Sequence, residues 1–281
     1  MLTFKELSDK YLDWCFNHKS LRTYEWYKNY IDMACAYQNM GDTPAYDLKP
    51  YQVQEWIDSH GAAWGSTYRG NAVVAIKRVF NWSEELGHGE GNPIKRLKKA
   101  TAQSRKSYAK QDGVEIFLSD IDPKDPFHDF LTFMWACGCR PQEARHIESR
   151  HVDLAGMRIV FPAIESKGKR HPRKILINST TLPIIERLLA KCPEGKLFRD
   201  SRGAGWSKYA VCERMDKLSK RNGVKITAYD LRHGYVTKKI KAGVNHMVIA
   251  PAIGHKDGSM IGKVYSHVAQ DEAHLREALG D

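Results

Sequence analysis

The chain has 281 residues, and its 44 lysines and arginines outnumber its 33 aspartates and glutamates, which gives a formal net charge of +11 at pH 7. Apolar residues make up 42% of the sequence, too many for a disordered chain, and no apolar run is long enough to span a membrane. The length predicts two domains, and the charge favours a polyanion such as nucleic acid as partner, although a basic enzyme without one stays open.

The N-terminus lacks the basic start and apolar stretch of a signal peptide, and the six scattered cysteines form no Cys-x-x-Cys pair. These features indicate reduced thiols and a cytoplasmic protein.

Residues 1–93 are predicted to form a helical domain. Thr3 and Glu6 form a capping box for a first helix, and a second helix is expected over 21–40. Pro50 suits the first turn of a third helix, and Ser66 is expected to cap a fourth that ends at Gly87.

Positive charge is spread unevenly. Residues 1–93 hold 9 basic and 12 acidic residues, whereas residues 94–111 hold 7 basic residues and no acidic one. Residues 112–281 hold 28 basic and 21 acidic residues. The middle block follows Asn92-Pro93 and is interpreted as an interdomain linker, which either follows a phosphate backbone or is a solvated hinge.

Residues 112–281 are predicted to form a second domain that mixes helices with short strands. A basic hairpin is expected between strands over 157–161 and 174–178. The predicted helices cover about 112–119, 126–137, 141–149, 180–191, 207–222, 230–242 and 246–253, with one more near Tyr265 and a tail helix to Leu279.

Four patches of this second domain carry residue types suited to chemistry on a phosphate. They are Gly138-Cys-Arg140-Pro-Gln-Glu143, Glu165-Ser-Lys167-Gly-Lys169-Arg170, Tyr229-Asp-Leu-Arg232-His233, and Gly254-His255 followed ten residues later by Tyr265-Ser-His267. Nucleotide-hydrolysis, zinc-protease and dinucleotide-binding motifs are absent from the sequence.

In this order and spacing, the four patches resemble the tyrosine recombinases of the phage integrase family. Phe80-Asn-Trp-Ser-Glu-Glu-Leu-Gly followed by Asn92-Pro93 resembles the end of that family's core-binding domain, so the resemblance covers nearly the whole chain. It implies a mainly α fold with a small β-sheet: an all-helical, SAM-like core-binding domain and an α+β catalytic domain that together clamp a DNA duplex.

The resemblance also implies roles for individual residues. Arg140 and Arg232 match the two arginines that hold the phosphate oxygens, and fixed guanidinium groups suit the negative charge that builds during attack. Tyr265 matches the nucleophile, which forms a 3′-phosphotyrosyl link. A free tyrosine has a pKa of about 10, so it must lose a proton as it attacks.

The remaining catalytic positions concern the leaving group and the phosphate surroundings. Lys167 matches the family's general acid, with Lys169 two residues away as the competing choice, and His255 matches the histidine that hydrogen-bonds the phosphate region. Tyr229 stands where the family usually has histidine. Tyrosine is a weaker base at pH 7, so Tyr229 is expected to donate a hydrogen bond rather than accept a proton.

The expected partners are double-stranded DNA recombination sites, bound by a homotetramer, with no membrane and no metal ion. Because the phosphotyrosyl bond conserves the energy of the broken bond, neither ATP nor another cofactor is needed. Candidate DNA-binding residues are Arg69, Lys77, Arg78, Lys95, Arg96, Lys98, Lys99, Lys169 and Arg170.

Two other functions stay open on the sequence: DNA relaxation like that of type IB topoisomerases, and DNA binding by a regulator that has lost catalysis. Two features depart from the family pattern. Pro251 falls just before Ile-Gly-His, where it predicts a helix that is kinked or begins late. The sequence also starts directly at the core-binding helices, so the arm-binding domain of lambda-like integrases is either missing from the protein or trimmed from this sequence.

Overall fold

The computed structural model describes residues 1–89, 91–100, 111–166, 170–255 and 262. The chain divides into two compact units, Met1–Arg105 and Lys106–Asp281. In the described ranges, every helix is too short or too polar to cross a membrane.

The N-terminal unit is helical, as the sequence predicts. Its α-helices are α1 (Phe4–His18), α2 (Leu21–Ala36), α3 (Pro50–Ser59) and α4 (Ser66–Glu85). The capping box at the start of α1 is present, because the Thr3 hydroxyl accepts from the Glu6 N–H and the Glu6 carboxylate accepts from the Thr3 N–H.

Two predicted boundaries in this unit are wrong. Helix α2 ends at Ala36 rather than near residue 40, because Gln38 and Asn39 adopt positive φ angles of 43° and 56° inside a 3₁₀ segment. Ser66 is the first residue of α4, and the N-cap position belongs to Gly65. The serine hydroxyl therefore does not cap the helix.

Large aromatic side chains fill the core of the N-terminal unit. Trp56 and Tyr11 are fully buried, and the Phe4 and Phe80 rings stack with centroids 5.7 Å apart. Ile94 and Leu97 are buried in the same core. The first turn of the predicted linker is thus anchored on this unit.

The C-terminal unit combines helices with a small sheet. Its helices are α5 (Gln111–Ser119), α6 (Pro126–Cys137), α7 (Pro141–His146), α8 (Leu182–Lys191), α9 (Lys208–Asn222), α10 (Ala228–Lys241) and α11 (His246–Ile253). Helix α7 is shorter than predicted, because the backbone becomes extended at Ile147 and a 3₁₀ turn follows over Ser149–His151.

A three-stranded antiparallel sheet lies in this unit, with strand order β1 (Val152–Asp153), β2 (Arg158–Phe161) and β3 (Arg173–Leu176). The sequence predicts the β2–β3 hairpin but not the two-residue β1. The pair formed by Phe161 and Arg173 is the last of the β2–β3 ladder before the hairpin loop. The structure confirms the expected mainly α fold with a small sheet.

Helix α11 includes the proline that departs from the family pattern. The helix begins at His246, where the Asn245 side chain accepts from the Met247 N–H, and Pro251 lies inside it. The helix therefore does not begin late. Since proline has no N–H, the Met247 carbonyl lacks its usual partner within the helix.

Helices α6 and α10 meet closely at the end of α6. Gly138 ends α6 with a positive φ of 63°, and a Cβ at this position would lie 2.3 Å from Cδ1 of Tyr235 on α10. Glycine is required here both by its backbone conformation and by this approach.

We expect Gly138→Ala to destabilise the protein more than Gly223→Ala. Gly223 ends α9 with a similar φ of 64°, but a Cβ there would meet no atom of the described structure within 4 Å. The Gly223 variant should therefore lose about 1 kcal/mol for the left-handed conformation. The Gly138 variant should lose a further ~1–3 kcal/mol for overpacking. Chemical denaturation measures both, and equal losses would contradict the close packing of Tyr235.

Candidate active site

Arg140 lies at the start of α7, directly after the tight end of α6. Its Nη1 donates to Glu143 Oε1 at 2.6 Å, and its Nη2 donates to the carbonyl of Gly254 at 3.0 Å. The guanidinium is thus held between the first turn of α7 and the end of α11. About a fifth of the side chain is exposed.

Glu143 holds Arg140 through two bonds. Besides the guanidinium, its carboxylate accepts from the backbone N–H of Arg140 at 2.9 Å. Burial raises the pKa of Glu143, but the charge of Arg173 and these bonds from Arg140 outweigh it, so the pKa stays below its usual value. Glu143 is therefore ionised at neutral pH and holds the Arg140 guanidinium in place.

Arg232 lies on α10, with only 2% of its surface exposed. Its Nη1 donates to the carbonyl of Gly138 at 3.0 Å. Both arginines are thus held by the carbonyl of a glycine that ends a helix: Gly138 after α6 and Gly254 after α11.

The second terminal nitrogen of Arg232 has no hydrogen-bond partner among the described residues, although it is buried. Burial lowers the pKa of the Arg232 guanidinium, and the positive charge of Arg140 lowers it further. A buried cationic N–H without a partner is unfavourable. An anion bound beside the two arginines would satisfy it.

Tyr229 and His255 are close in sequence to the groups that form this site: Tyr229 to Arg232, and His255 to Gly254. Tyr229 precedes Arg232 by one turn of α10, is 46% exposed, and its ring meets that of His233 edge-on with centroids 5.2 Å apart. His255 directly follows Gly254, and its backbone N–H donates to the carbonyl of Ala250 at 2.8 Å. Asp230 accepts from the Thr227 N–H and hydroxyl, so it caps α10.

Three of the predicted site residues lie outside the described residues: Lys167, Lys169 and Tyr265. Glu165, at the base of the hairpin loop, accepts from His151 Nε2 at 3.0 Å and from both terminal nitrogens of Arg150. Arg170, the first described residue after Lys169, is exposed.

The candidate DNA-binding residues of the N-terminal unit fall into two groups. Arg69 donates to Asp58, and Arg78 forms a bidentate pair with Glu85, so both guanidinium groups hold local structure. Lys77 donates to the carbonyl of Lys95 at 2.7 Å. The second group is exposed and lies in the segment that contains the buried Ile94 and Leu97. It consists of Lys95, Arg96, Lys98 and Lys99.

Acidic side chains that could suggest a metal site are engaged with arginines. Asp120 accepts from Arg221, and Asp125 accepts from Arg214 while it caps α6. Among the described residues, no group of three or more histidine, cysteine, aspartate or glutamate side chains is arranged to hold a metal ion.

Arg173 is the residue of this region that sequence analysis misses. Its Nε donates to Glu143 Oε1 at 3.2 Å, across 30 positions of sequence. The signal that could have revealed it is its place on β3, two positions before Ile175 and thus on the same buried face of the strand. An arginine on the buried face of a strand needs an internal partner.

Known proteins resemble this chain in sequence. Residues 111–272 match the family model described as the phage integrase family. A putative integrase/recombinase, y4eF, of Sinorhizobium fredii is 30% identical over 216 residues, which cover 75% of this chain and 82% of that protein. Tyrosine recombinase XerC of Serratia marcescens is 24% identical over 228 residues, which cover 74% and 73%.

Solved structures share the fold at low sequence identity. A Tn1549 transposon integrase in complex with transposon right-end DNA superposes with a TM-score of 0.81, at 17% identity and 100% coverage of both chains. A lambda integrase dimer bound to a core site gives a TM-score of 0.77, at 14% identity, with 93% of this chain and 95% of that chain covered. A lambda integrase tetramer bound to a Holliday junction gives 0.72, at 15% identity and coverage of 92% and 79%.

The likeness confirms the predicted mainly α fold with a small sheet, and the family model spans more than half of the chain. The chain therefore belongs to the phage integrase family and is a tyrosine recombinase, an enzyme that acts on DNA.

Proposed function

We propose that this protein performs site-specific strand exchange between double-stranded DNA recombination sites through a 3′-phosphotyrosyl intermediate on Tyr265. The observation that carries the proposal is the buried Arg232 guanidinium, which has an N–H without a partner among the described residues and lies within the field of Arg140. A phosphodiester provides the anion that this arrangement lacks.

Arg140 and Arg232 clamp the two non-bridging oxygens of the scissile phosphate. Their positions are set before DNA binds, because Glu143, Gly254 and Gly138 already hold them. Groups fixed in advance lose little energy to reorganisation as charge develops on the phosphorane oxygens.

The bond changes involve residues outside the described ranges. The Tyr265 oxygen attacks phosphorus and releases its proton to water, while the bond from phosphorus to the 5′ oxygen breaks. Lys167 donates a proton to that leaving oxygen. A 5′-hydroxyl from the partner strand then attacks the phosphotyrosyl bond, and the same steps run in reverse.

His255 and Tyr229 complete the proposed site. His255 follows the glycine that holds Arg140, so its ring is proposed to hydrogen-bond a phosphate oxygen. The exposed hydroxyl of Tyr229 is proposed to donate a hydrogen bond to the same phosphate region.

The proposed DNA contacts include exposed cations of the N-terminal unit. Lys95, Arg96, Lys98 and Lys99 flank the buried Ile94 and Leu97, which hold this segment against the helical core. With Lys169 and Arg170 they are proposed to contact the DNA backbone of a homotetrameric complex. The similar lambda integrase that was solved on a Holliday junction is a tetramer.

Tyr265→Phe is expected to abolish covalent capture of DNA and to change the dissociation constant for DNA less than threefold, because only the nucleophilic oxygen is lost. The DNA is a duplex selected from a randomised library for SDS-resistant retention on the wild-type protein. Tyr209→Phe, on a tyrosine of α9 that is 83% exposed, is the control and should react normally.

Failure of the wild-type protein to retain any duplex would contradict the enzymatic proposal and favour a DNA-binding regulator. Relaxation of a supercoiled plasmid that lacks the selected sequence would favour a topoisomerase-like activity instead.

Lys167→Ala is expected to slow cleavage by roughly 100-fold or more on the normal substrate, because the 5′ oxygen then leaves without a proton. A 5′-thiol leaving group should restore the rate, since a thiolate needs no proton. Lys169→Ala should weaken DNA binding without a thiol-specific gain. If the thiol restores the Lys169 variant instead, Lys169 is the general acid.

Lys95→Gln/Lys98→Gln is expected to weaken binding to all duplex sequences alike. The slope of log Kd against log salt should fall by up to about 2 in magnitude, because two phosphate contacts are lost. Lys5→Gln/Lys28→Gln removes the same charge from lysines already paired with Asp9 and Asp32, and serves as the control. Equal slopes for the two double variants would rule out the backbone contacts.

A further inference from the structure

Arg173 occupies an unusual place for a charged residue. It lies on the buried face of β3, in the same row as Ile175, and is only 8% exposed. A cation removed from water to this degree has to be compensated by several fixed acceptors. The structure supplies them from two other elements, α7 and α11.

The first contact of Arg173 is with Glu143 on α7. Arg173 Nε donates to Oε1 at 3.2 Å, and Nη2 approaches Oε2 at 3.5 Å. These two oxygens also accept from the guanidinium and the backbone N–H of Arg140. Arg173 therefore fixes the carboxylate that orients Arg140.

The second contact of Arg173 is with the end of α11. Its Nη1 donates to the carbonyl of Ala252 at 2.9 Å and of Pro251 at 3.4 Å, as well as to the carbonyl of Lys174. The last carbonyls of a helix have no partner within the helix, and a cation at this end interacts favourably with the helix dipole.

The end of α11 in turn reaches the candidate site. The carbonyl of Gly254 accepts from Arg140 Nη2, and His255 follows it in the chain. Packing is tight at this point, because a Cβ on Gly254 would lie 2.7 Å from Arg173 Nε. The position of His255 thus depends on where Arg173 holds this helix end.

We propose that Arg173 is a positioning residue for catalysis: one guanidinium fastens β3, the Glu143 carboxylate and the end of α11, and so sets the places of Arg140 and His255 at the scissile phosphate. This inference rests on the proposed function. Arg173 does not itself touch the phosphate, and it acts through the two residues that do.

Lysine cannot take over this role. An ammonium group is a single point of charge, whereas the arginine fork donates through three nitrogens in different directions. Arg173→Lys keeps the charge and part of the volume, but it can serve either Glu143 or the α11 carbonyls at good geometry. The substitution therefore tests positioning rather than charge.

The test compares Arg173→Lys with Arg187→Lys. Arg187 forms a bidentate pair with the nearly buried Asp129, both bonds 2.8 Å, and lies outside the network of Arg173. Both variants are assayed for thermal stability, for DNA dissociation constant, and for single-turnover covalent capture at saturating protein. The DNA is the selected duplex described above, nicked beside the reacting phosphate so that cleavage is irreversible.

We expect Arg173→Lys to lower the single-turnover rate roughly 10- to 100-fold, with the dissociation constant within about threefold of wild type. Arg187→Lys should keep the wild-type rate within about threefold, even if its melting temperature falls as much as that of Arg173→Lys. Equal rates for the two variants would overturn the proposal. Absence of capture by the wild-type protein would instead overturn the proposed function.

A second readout separates positioning of Arg140 from general loosening of the fold. A methylphosphonate at the reacting position removes the negative charge that Arg140 neutralises, so Arg140's placement matters less. The ratio of wild-type to Arg173→Lys rates should then fall to within about threefold of one. An unchanged ratio would show that Arg173 does not act through Arg140.

A paired variant covers the case in which Arg173→Lys fails to fold. Arg173→Met/Glu143→Gln removes both buried charges together, which avoids leaving an uncompensated carboxylate. It should bind the selected duplex within about threefold of wild type and show the same rate loss. A wild-type rate in this variant would also overturn the proposal.

Discussion

The carboxylate of Glu143 is the interaction on which the candidate site depends. It lies between two guanidinium groups, and its two oxygens accept from Arg140, from the backbone at the start of α7, and from Arg173. Glu143 and Arg173 are both largely buried. Removing one partner from such a cluster leaves an uncompensated charge, so the cluster holds together as a unit.

The charges of this cluster do not cancel. Three guanidinium groups, those of Arg140, Arg173 and Arg232, share one carboxylate among the described side chains of the network. The remaining positive charge is concentrated around Arg232, where a buried N–H has no described partner. Keeping this cationic N–H away from water is unfavourable, and a bound anion would offset the cost.

Helix ends supply much of the scaffold around this charge. Gly138 ends α6 and its carbonyl holds Arg232, while Gly254 ends α11 and its carbonyl holds Arg140. Carbonyls at the ends of helices have no partner within the helix, which makes them available to a guanidinium. The packing of Tyr235 against Gly138 connects α10, which carries Arg232, to the same point. Rigid elements therefore set the separation of the two arginines.

The sequence by itself determined what depends on short-range spacing. Arg140 and Glu143 are three positions apart, which places the carboxylate on the first turn of α7, and the short β-like run over 157–161 predicts the strand that pairs with β3. Motif order and type were enough to identify the family and nominate its reactive residues. Boundaries set by unusual backbone angles, such as the end of α2 at Ala36 before the positive φ angles of Gln38 and Asn39, could not be obtained from propensity.

Only the tertiary structure decided which distant groups meet. The bond from Arg173 to Glu143 spans 30 positions, and the bond from Arg140 to Gly254 spans 114. No local pattern encodes such contacts, because they arise only when β3, α7 and α11 pack together. Burial also decided the role of Arg173. A charge without access to water must find its partners within the protein, and Arg173 finds them in Glu143 and the carbonyls at the end of α11.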